Sequence, residues 1–410
     1  MKQDRHGILL GAGVVFAALL CSFAPSAHAR PDNQEAPAQA VQRLCSQCHA
    51  LEVAGKCLAG DCAGSRIVRV TKPRPWNMVL DKMVDKGVNV SKKERREILG
   101  FLQANYPAMS YPLSWERINA FTGQGGWNVN TLREYKEFLY AGFEGNGKIF
   151  RSADGSNWQE VVSTHQDTVY GITPFQGILY AGAAEPTPQV WRSSDGLHWQ
   201  PSASLPSEDV GIYSVGVFKD QLYVGTGRSW IYRSGDGQKW EKVAALKGDI
   251  HALFSHWVRF LVPFNGTLYA GLEQGPLYRS EDGLTWVEVK SGVSDGNGAR
   301  GAMVFNGALY VGATSGGDIW KTEDGQNWQH VFKVPNDIPG YVASMAVAGN
   351  YLFASINGYV FRTPDGLAWE EVGHLASTTL EAMAAWRGTL YVGASISPSA
   401  YIYRTSITQK

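Results

Sequence analysis

The sequence predicts a two-domain chain, a small all-α unit followed by an all-β seven-bladed propeller. Two observations predict the propeller. From about residue 113 the pattern Phe-Asn-Gly-x-Leu-Tyr-x-Gly, then Ile-Tyr-Arg-Ser, recurs about every 40 residues, the period of a four-stranded blade. Within that period sits Ser/Thr-x-Asp-Gly-x-x-Trp, a turn signature between two strand-like runs. A third observation predicts the α unit: residues 34–107 lack the repeat and carry apolar residues at helical spacing.

The chain opens with Lys2 and Arg5, an apolar run from Ile8 to about Phe23, and Ala27-His28-Ala29, a small-x-small cleavage signal. Residues 1–29 therefore read as a cleaved secretory signal. The apolar run is short for a spanning helix, and nothing later is long and apolar enough to span. Cys21 follows Leu20 rather than a small residue, which argues against a lipidated cysteine. The mature chain is expected to begin near Arg30, without a transmembrane anchor, in the periplasm or outside the cell. With 37 basic and 37 acidic residues the formal charge is zero, so no nucleic-acid or polybasic-membrane partner is implied.

Residues 30–108 form the α unit. A helical-looking run, Ala38 to Leu44, leads into Cys45-Ser-Gln-Cys48-His49. Cys-x-x-Cys-His is the attachment sequence of a c-type haem: the thiols form thioethers with the haem vinyl groups and the histidine ligates the iron. Zinc would need a second ligand pair at finger or ribbon spacing, and a thioredoxin-like dithiol would follow a strand. One covalent haem c is expected. Cys57 and Cys62, in a loop with Gly55, Gly60 and Gly64, are expected to form a local disulfide in an oxidising compartment. Arg66, Arg69 and Arg74 are candidate partners for the haem propionates. A helix is predicted from about Pro75 to Asp85, with Trp76, Val79, Leu80 and Met83 on one face, ended by Gly87. Another begins at the capping box Ser91-Lys-Lys-Glu94 and buries Ile98, Leu99, Phe101 and Leu102 before Pro107 stops it. No histidine falls between His49 and Trp115, so the residues leave Met78, Met83, Met109 or a histidine of the repeat as the sixth iron ligand.

The motif together with Trp76, Met83, Gly87, Glu94, Ile98 and Leu102 resembles the short monohaem, class I-like cytochrome c domains found alone or attached to periplasmic dehydrogenases. The resemblance covers residues 30–108 only. It implies one-electron transfer and His/Met ligation of the iron, carried here by His49 and Met83.

Residues 109–112 are a linker made stiff by Pro112, and residues 113–410 are the propeller. The Leu-Tyr step falls at Leu139, Leu179, Leu222, Leu268, Leu309, Leu352 (followed by Phe353) and Leu390, which gives seven repeats. Six carry the turn signature, from Ser152 to Trp158, Ser193 to Trp199, Ser234 to Trp240, Ser280 to Trp286, Thr322 to Trp328 and Thr363 to Trp369. These resemble the Asp-box hairpins of sialidase-like and BNR-repeat propellers. Their aspartates, Asp154, Asp195, Asp236, Asp282, Asp324 and Asp365, are read as turn-forming rather than catalytic. The seventh repeat reaches Ile402-Tyr403-Arg404-Thr405 with no Trp strand after it. Leu113-Ser-Trp115-Glu116-Arg-Ile118 matches Leu367-Ala-Trp369-Glu370-Glu-Val372 and is expected to complete that blade from the N-terminal side.

Nine residues before each Leu the series reads Asn130, Tyr170, Tyr213, Arg259, Arg300, Ala343 and Glu381. Placed at the start of the innermost strands, these residues form a ring near one mouth of the central channel. Tyr170, Tyr213, Arg259, Arg300 and Glu381 are its candidate binding residues, either for a small anion or acidic substrate group or for one another, with Glu381 offsetting an arginine. His251, His256 and Trp257 join the same rim without metal-ligand spacing, and no arginine triad or Tyr/Glu nucleophile pair of sialidases is present. Three roles fit. One is an electron carrier whose propeller docks a periplasmic redox partner protein or a membrane electron acceptor or donor. The others are a redox enzyme acting at the channel and a haem-based binding or sensory protein.

Overall fold

A computed structural model describes residues 113–118, 121, 126–184, 186–206, 208–247, 256–289, 292–293, 298–335, 338, 340–375, 379–396 and 399–407, and Ser91, Lys93, Arg95, Arg96 and Ile98 ahead of them. The chain divides into two units at Pro112/Leu113. Residues 1–29, read as a secretory signal from the sequence, and Cys45, Cys48, His49, Cys57, Cys62, Arg66, Arg69, Arg74 and Met83 lie outside the described residues. Of the first unit, Lys93, Arg95, Arg96 and Ile98 are helical, and the Arg95 N–H donates to the Ser91 carbonyl at 2.9 Å.

The second unit is all β. Its first strand, β1 (Glu116–Ile118), stands apart from the seven repeats that follow. Blade 1 holds β2 (Asn128–Tyr135), β3 (Phe138–Glu144), β4 (Lys148–Ser152) and β5 (Gln159–Ser163). Blades 2 to 6 follow the same plan: β6–β9 within Thr168–Ser204, β10–β13 within Ile212–Ala245, β14–β17 within Val258–Glu288, β18–β21 within Ala299–Phe332 and β22–β25 within Val342–His374. Blade 7 is built from β26 (Ala382–Trp386), β27 (Thr389–Ile396) and β28 (Ser399–Ser406). Its outer strand is β1, which pairs antiparallel with β28, Glu116 opposite Arg404 and Ile118 opposite Ile402. The first strands of the blades, β2, β6 (Thr168–Phe175), β10 (Ile212–Phe218), β14 (Val258–Phe264), β18 (Ala299–Phe305), β22 (Val342–Ala348) and β26, each pack on the next, and β26 packs on β2, so the ring is closed. Closure leaves no long sheet edge open to another chain.

The core lies between blades. Seven apolar clusters each draw on two neighbouring blades; that between blades 7 and 1 joins Tyr391 and Ile402 to Val129, Phe143 and Phe150. This explains the Leu-Tyr-x-Gly repeat. Successive strand residues face opposite sides of a blade, and both sides are covered by neighbours, so Leu and Tyr are both buried, every repeat Leu having no exposed surface. The glycine two residues later permits close approach: a Cβ on Gly393 of β27 would sit 2.6 Å from the Cβ of Val129 in blade 1.

The turn signature works locally. In blade 1 the Ser152 hydroxyl accepts from the Gly155 N–H at 2.8 Å and donates to the Asn157 carbonyl at 2.6 Å, while Asp154 Oδ1 accepts from the N–H groups of Ser156 and Asn157, both at 2.8 Å. The same hydroxyl–glycine and aspartate–backbone bonds recur in the other five. These N–H groups hold the six aspartates well below the usual carboxylate range.

Trp115 stands where the other blades carry the signature's tryptophan. It is buried in the cluster between blades 6 and 7, and its indole N–H donates to the Val372 carbonyl of blade 6 at 2.8 Å. The incoming chain is thus fastened to two blades before β1 begins.

Candidate functional site at the mouth of the channel

Blades 1 to 6 share a local irregularity that builds the site. Pairing between the first two strands of each slips at one residue: Asn130, Tyr170, Tyr213, Arg259, Arg300 and Ala343. A β-bulge leaves its extra residue out of the ladder and re-aims the side chain. These are six of the seven ring positions; the seventh, Glu381, immediately precedes β26. One re-aimed side chain per blade, repeated around a closed ring, makes the side chains converge.

They meet as two connected groups. Tyr170 and Tyr213 lie with ring centroids 4.6 Å apart, and Trp257 stacks on Tyr213 at 4.6 Å with the planes only 11° apart. The Arg259 guanidinium sits against this aromatic face, 4.5 Å from the Trp257 ring and 5.7 Å from each tyrosine ring. Arg259 Nε also donates to Glu273 Oε2. Glu273 accepts a second bond from Arg300 Nη1 at 2.7 Å, and Arg300 Nη2 donates to Glu381 Oε2 at 2.7 Å. Tyr341 completes the chain, donating to Glu381 Oε1 at 2.8 Å under the Arg300 guanidinium, which lies 3.9 Å from its ring. The four charged side chains are only 8 to 13% exposed.

Arg300 belongs to blade 5 and Glu381 to blade 7, so their bond passes over blade 6, whose ring residue is Ala343. The short methyl side chain at that position leaves room for the bridge. On the other side of Tyr170, blade 1 contributes Glu144, which accepts from Asn128 Nδ2 at 3.1 Å and Asn130 Nδ2 at 3.3 Å.

The electrostatics follow from the pairing. Burial pushes Glu381 up, but Arg300 and Arg259 outweigh it and leave the carboxyl below its ordinary range. Burial also raises Tyr170, with Glu144 adding to it, to about 12, and raises Tyr341. Both phenols stay protonated at neutral pH. Three carboxylates, Glu144, Glu273 and Glu381, face two guanidiniums, which leaves one negative charge. Arg259 and Arg300 are each engaged by a carboxylate and an aromatic ring, so neither is an uncompensated positive charge for an anion.

Of the remaining rim residues, His251 lies outside the described residues. His256 is half-buried and its imidazole is lowered by burial and by Lys247. No cluster with metal-ligating composition occurs among the described residues.

Sequence reasoning did not find Glu273, Tyr341 or the Glu144–Asn128 group. Counting from the same Leu would have. Glu144 and Glu273 both stand five residues after it, and Asn128, Trp257 and Tyr341 all stand eleven before it.

The fold and this geometry define a β-propeller of seven four-stranded blades. No family model and no curated protein matches the chain. Among solved structures it is similar to catalytically inactive H270A virginiamycin B lyase from Staphylococcus aureus with Quinupristin, at 13% identity, TM-score 0.60, covering 71% of this chain and 99% of that one. A streptogramin B lyase structure gives 10% identity, TM-score 0.60, and coverage of 72% and 98%. YCF48 bound to D1 peptide gives 15% identity, TM-score 0.55, and coverage of 73% and 100%. At these identities the likeness is one of fold.

Proposed function

We propose that the protein is a periplasmic or secreted c-type cytochrome that transfers single electrons, with the propeller as its docking or binding platform. The observation that carries this reading is Cys45-Ser-Gln-Cys48-His49 behind a secretory signal. Cys45 and Cys48 would anchor haem c, His49 and Met83 would ligate its iron, and Arg66, Arg69 and Arg74 would pair its propionates; the bound haem supplies one-electron exchange. A Cys57–Cys62 disulfide would pin the loop beside it. The partner is a periplasmic redox protein or a membrane electron acceptor or donor.

The channel mouth supports the platform reading over an anion-processing enzyme. Arg259 and Arg300 are paired with carboxylates at the same mouth, and Tyr170 and Tyr341 are held protonated. The test is electron exchange between reduced full-length protein and a panel of small periplasmic carriers. Arg259→Lys and Tyr170→Phe should leave the rates as they are, and the rates should vary with ionic strength. Loss of exchange in both variants, with the haem spectrum intact, would transfer the chemistry to the channel. Met83→Ala should abolish the weak red absorption of methionine-to-iron ligation and lower the reduction potential; a persistent band would pass the ligand role to another methionine.

A further inference from the structure

The negative charge left over at the channel mouth belongs to blade 1. Arg259 and Arg300 are held by Glu273 and Glu381. Glu144, which ends β3 and is half-buried, has no cation against it among the described residues. Its Oε2 accepts from the neutral Asn128 and Asn130 amides, at 3.1 and 3.3 Å, and its Oε1 accepts no hydrogen bond from a described residue. Lys148, at the start of the next strand, is committed elsewhere, to Glu160 at 2.8 Å.

Asn128 gives a second, independent sign. The residue is only 6% exposed. Its Nδ2 donates to Asn130 Oδ1 at 2.7 Å and to Glu144 Oε2, which uses both amide hydrogens, and its Oδ1 is buried with no donor among the described residues. Buried amide oxygens are almost always paired. Glu144 and Asn128 therefore form a cluster with a negative charge and more acceptors than donors. An ammonium group supplies what is missing, a positive charge and three donors on one atom. Trp127 adds a wall that solvent reaches. Its N–H donates to the Glu144 carbonyl at 3.1 Å, its ring lies against Gly145, where a Cβ would sit 2.6 Å from Cε3, and it is 51% exposed. An exposed indole packed on the residue after Glu144 offers a π face to a cation and apolar surface to its alkyl stem.

We propose that blade 1 presents a binding site for an alkylammonium group at the channel mouth, with Glu144 as the counter-charge, Asn128 as a second acceptor and Trp127 as the wall. Glu144 and Trp127 are the groups that solvent reaches, and Asn128 backs the carboxylate. A small primary amine and a lysine side chain carry the same group. The mouth is thus selective for cations, the opposite of what two arginines on its rim suggest, because those arginines are spent on their own carboxylates. The proposal is independent of the haem reading, since it uses residues of the propeller alone.

Calorimetric titration of the full-length protein tests it, with tryptophan fluorescence as a second reading. n-Butylammonium should bind saturably, tetramethylammonium, of equal charge but without N–H groups, about tenfold more weakly, and butyrate not at all. Glu144→Gln should weaken n-butylammonium about tenfold, through loss of a charge-assisted hydrogen bond. Trp127→Leu, at an exposed position, should weaken it about threefold and leave the melting temperature unchanged. Nα-acetyl-lysine amide should bind as well, and the tighter of the two amines names the source of the group. The proposal is overturned by absence of saturable binding, by equal affinity for tetramethylammonium, or by unchanged binding in a folded Glu144→Gln. Should Glu144→Gln fail to fold, Trp127→Leu decides: affinity equal to that of the unaltered protein would place the amine elsewhere and overturn the proposal.

Discussion

Tyr391 of blade 7 ends against Gly155 of blade 1, so close that a Cβ on the glycine would lie 2.0 Å from the tyrosine oxygen. The contact joins the last repeat to the first, and it couples two sequence motifs: Leu-Tyr in one blade is shaped to the Asp-Gly turn of the next. Gly155 also has φ of +73°, a conformation that L side chains rarely adopt.

Gly155→Ala should therefore destabilise the propeller by ~2–3 kcal/mol, through backbone strain and the collision together. Tyr391→Phe should restore part of the loss in the double variant, because it shortens the colliding group. Chemical denaturation of the four proteins of the cycle reads the coupling; strict additivity would mean that Tyr391 does not bear on Gly155.

Closure from the N-terminal side predicts that the propeller depends on β1. A chain starting at Arg117 loses Trp115, its bond to Val372 and the Glu116–Arg404 ion pair at 2.9 Å. It should melt lower and aggregate sooner than one starting at Tyr111, because blade 7 is then left with an exposed edge. Equal melting would show that β1 contributes nothing to closure.

The channel brace predicts an asymmetry between single and double replacements. Arg300→Met should cost ~3–5 kcal/mol by leaving Glu273 and Glu381 buried without their cation. Adding Glu381→Gln should recover part of that cost, since it removes one stranded charge. Thermal denaturation at several salt concentrations checks it; a small, salt-sensitive loss in the single variant would place the pair in solvent.

The turn aspartates and Asp209 should move stability in opposite directions with pH. The turn aspartates have folded-state pKa values below their unfolded ones, so their contribution is full above the ordinary carboxylate range and is lost as pH falls from about 4 downward. Asp209 is 2% exposed, and burial raises it to about 6 despite bonds from the Thr226 hydroxyl and the Val210 N–H. A raised carboxyl favours the folded state while protonated, and that advantage is lost as pH rises from about 4 to 6. Asp209→Asn should thus flatten the melting curve against pH over this interval and leave the acid limb intact; an unchanged profile would show that Asp209 is ionised throughout.

Much of the propeller was legible because its signals are repeated and local. The spacing of Leu139, Leu179 and their successors fixes the blades, and Ser152, Asp154 and Gly155 write their own hydrogen bonds into the sequence. The channel mouth was legible only in part. Counting from the Leu brought Tyr170, Tyr213, Arg259, Arg300 and Glu381 to one rim, but partner choice across a ring depends on reach. Arg300 bonds Glu381 two blades away across the small Ala343, and Glu273 enters from the turn that follows the second strand of blade 4. No period along the chain encodes those distances. The same holds for the bulges, which follow from how two strands pair rather than from any residue type.

The central claim is a covalently held haem, and haem analysis of the purified full-length protein from a host with c-type maturation tests it most directly. The pyridine haemochrome should be of the c type at one haem per chain, and the haem should stay with the protein through acid-acetone extraction, while Cys45→Ala or Cys48→Ala should cripple that attachment. Haem that extracts freely, or protein that matures without haem, would contradict the account.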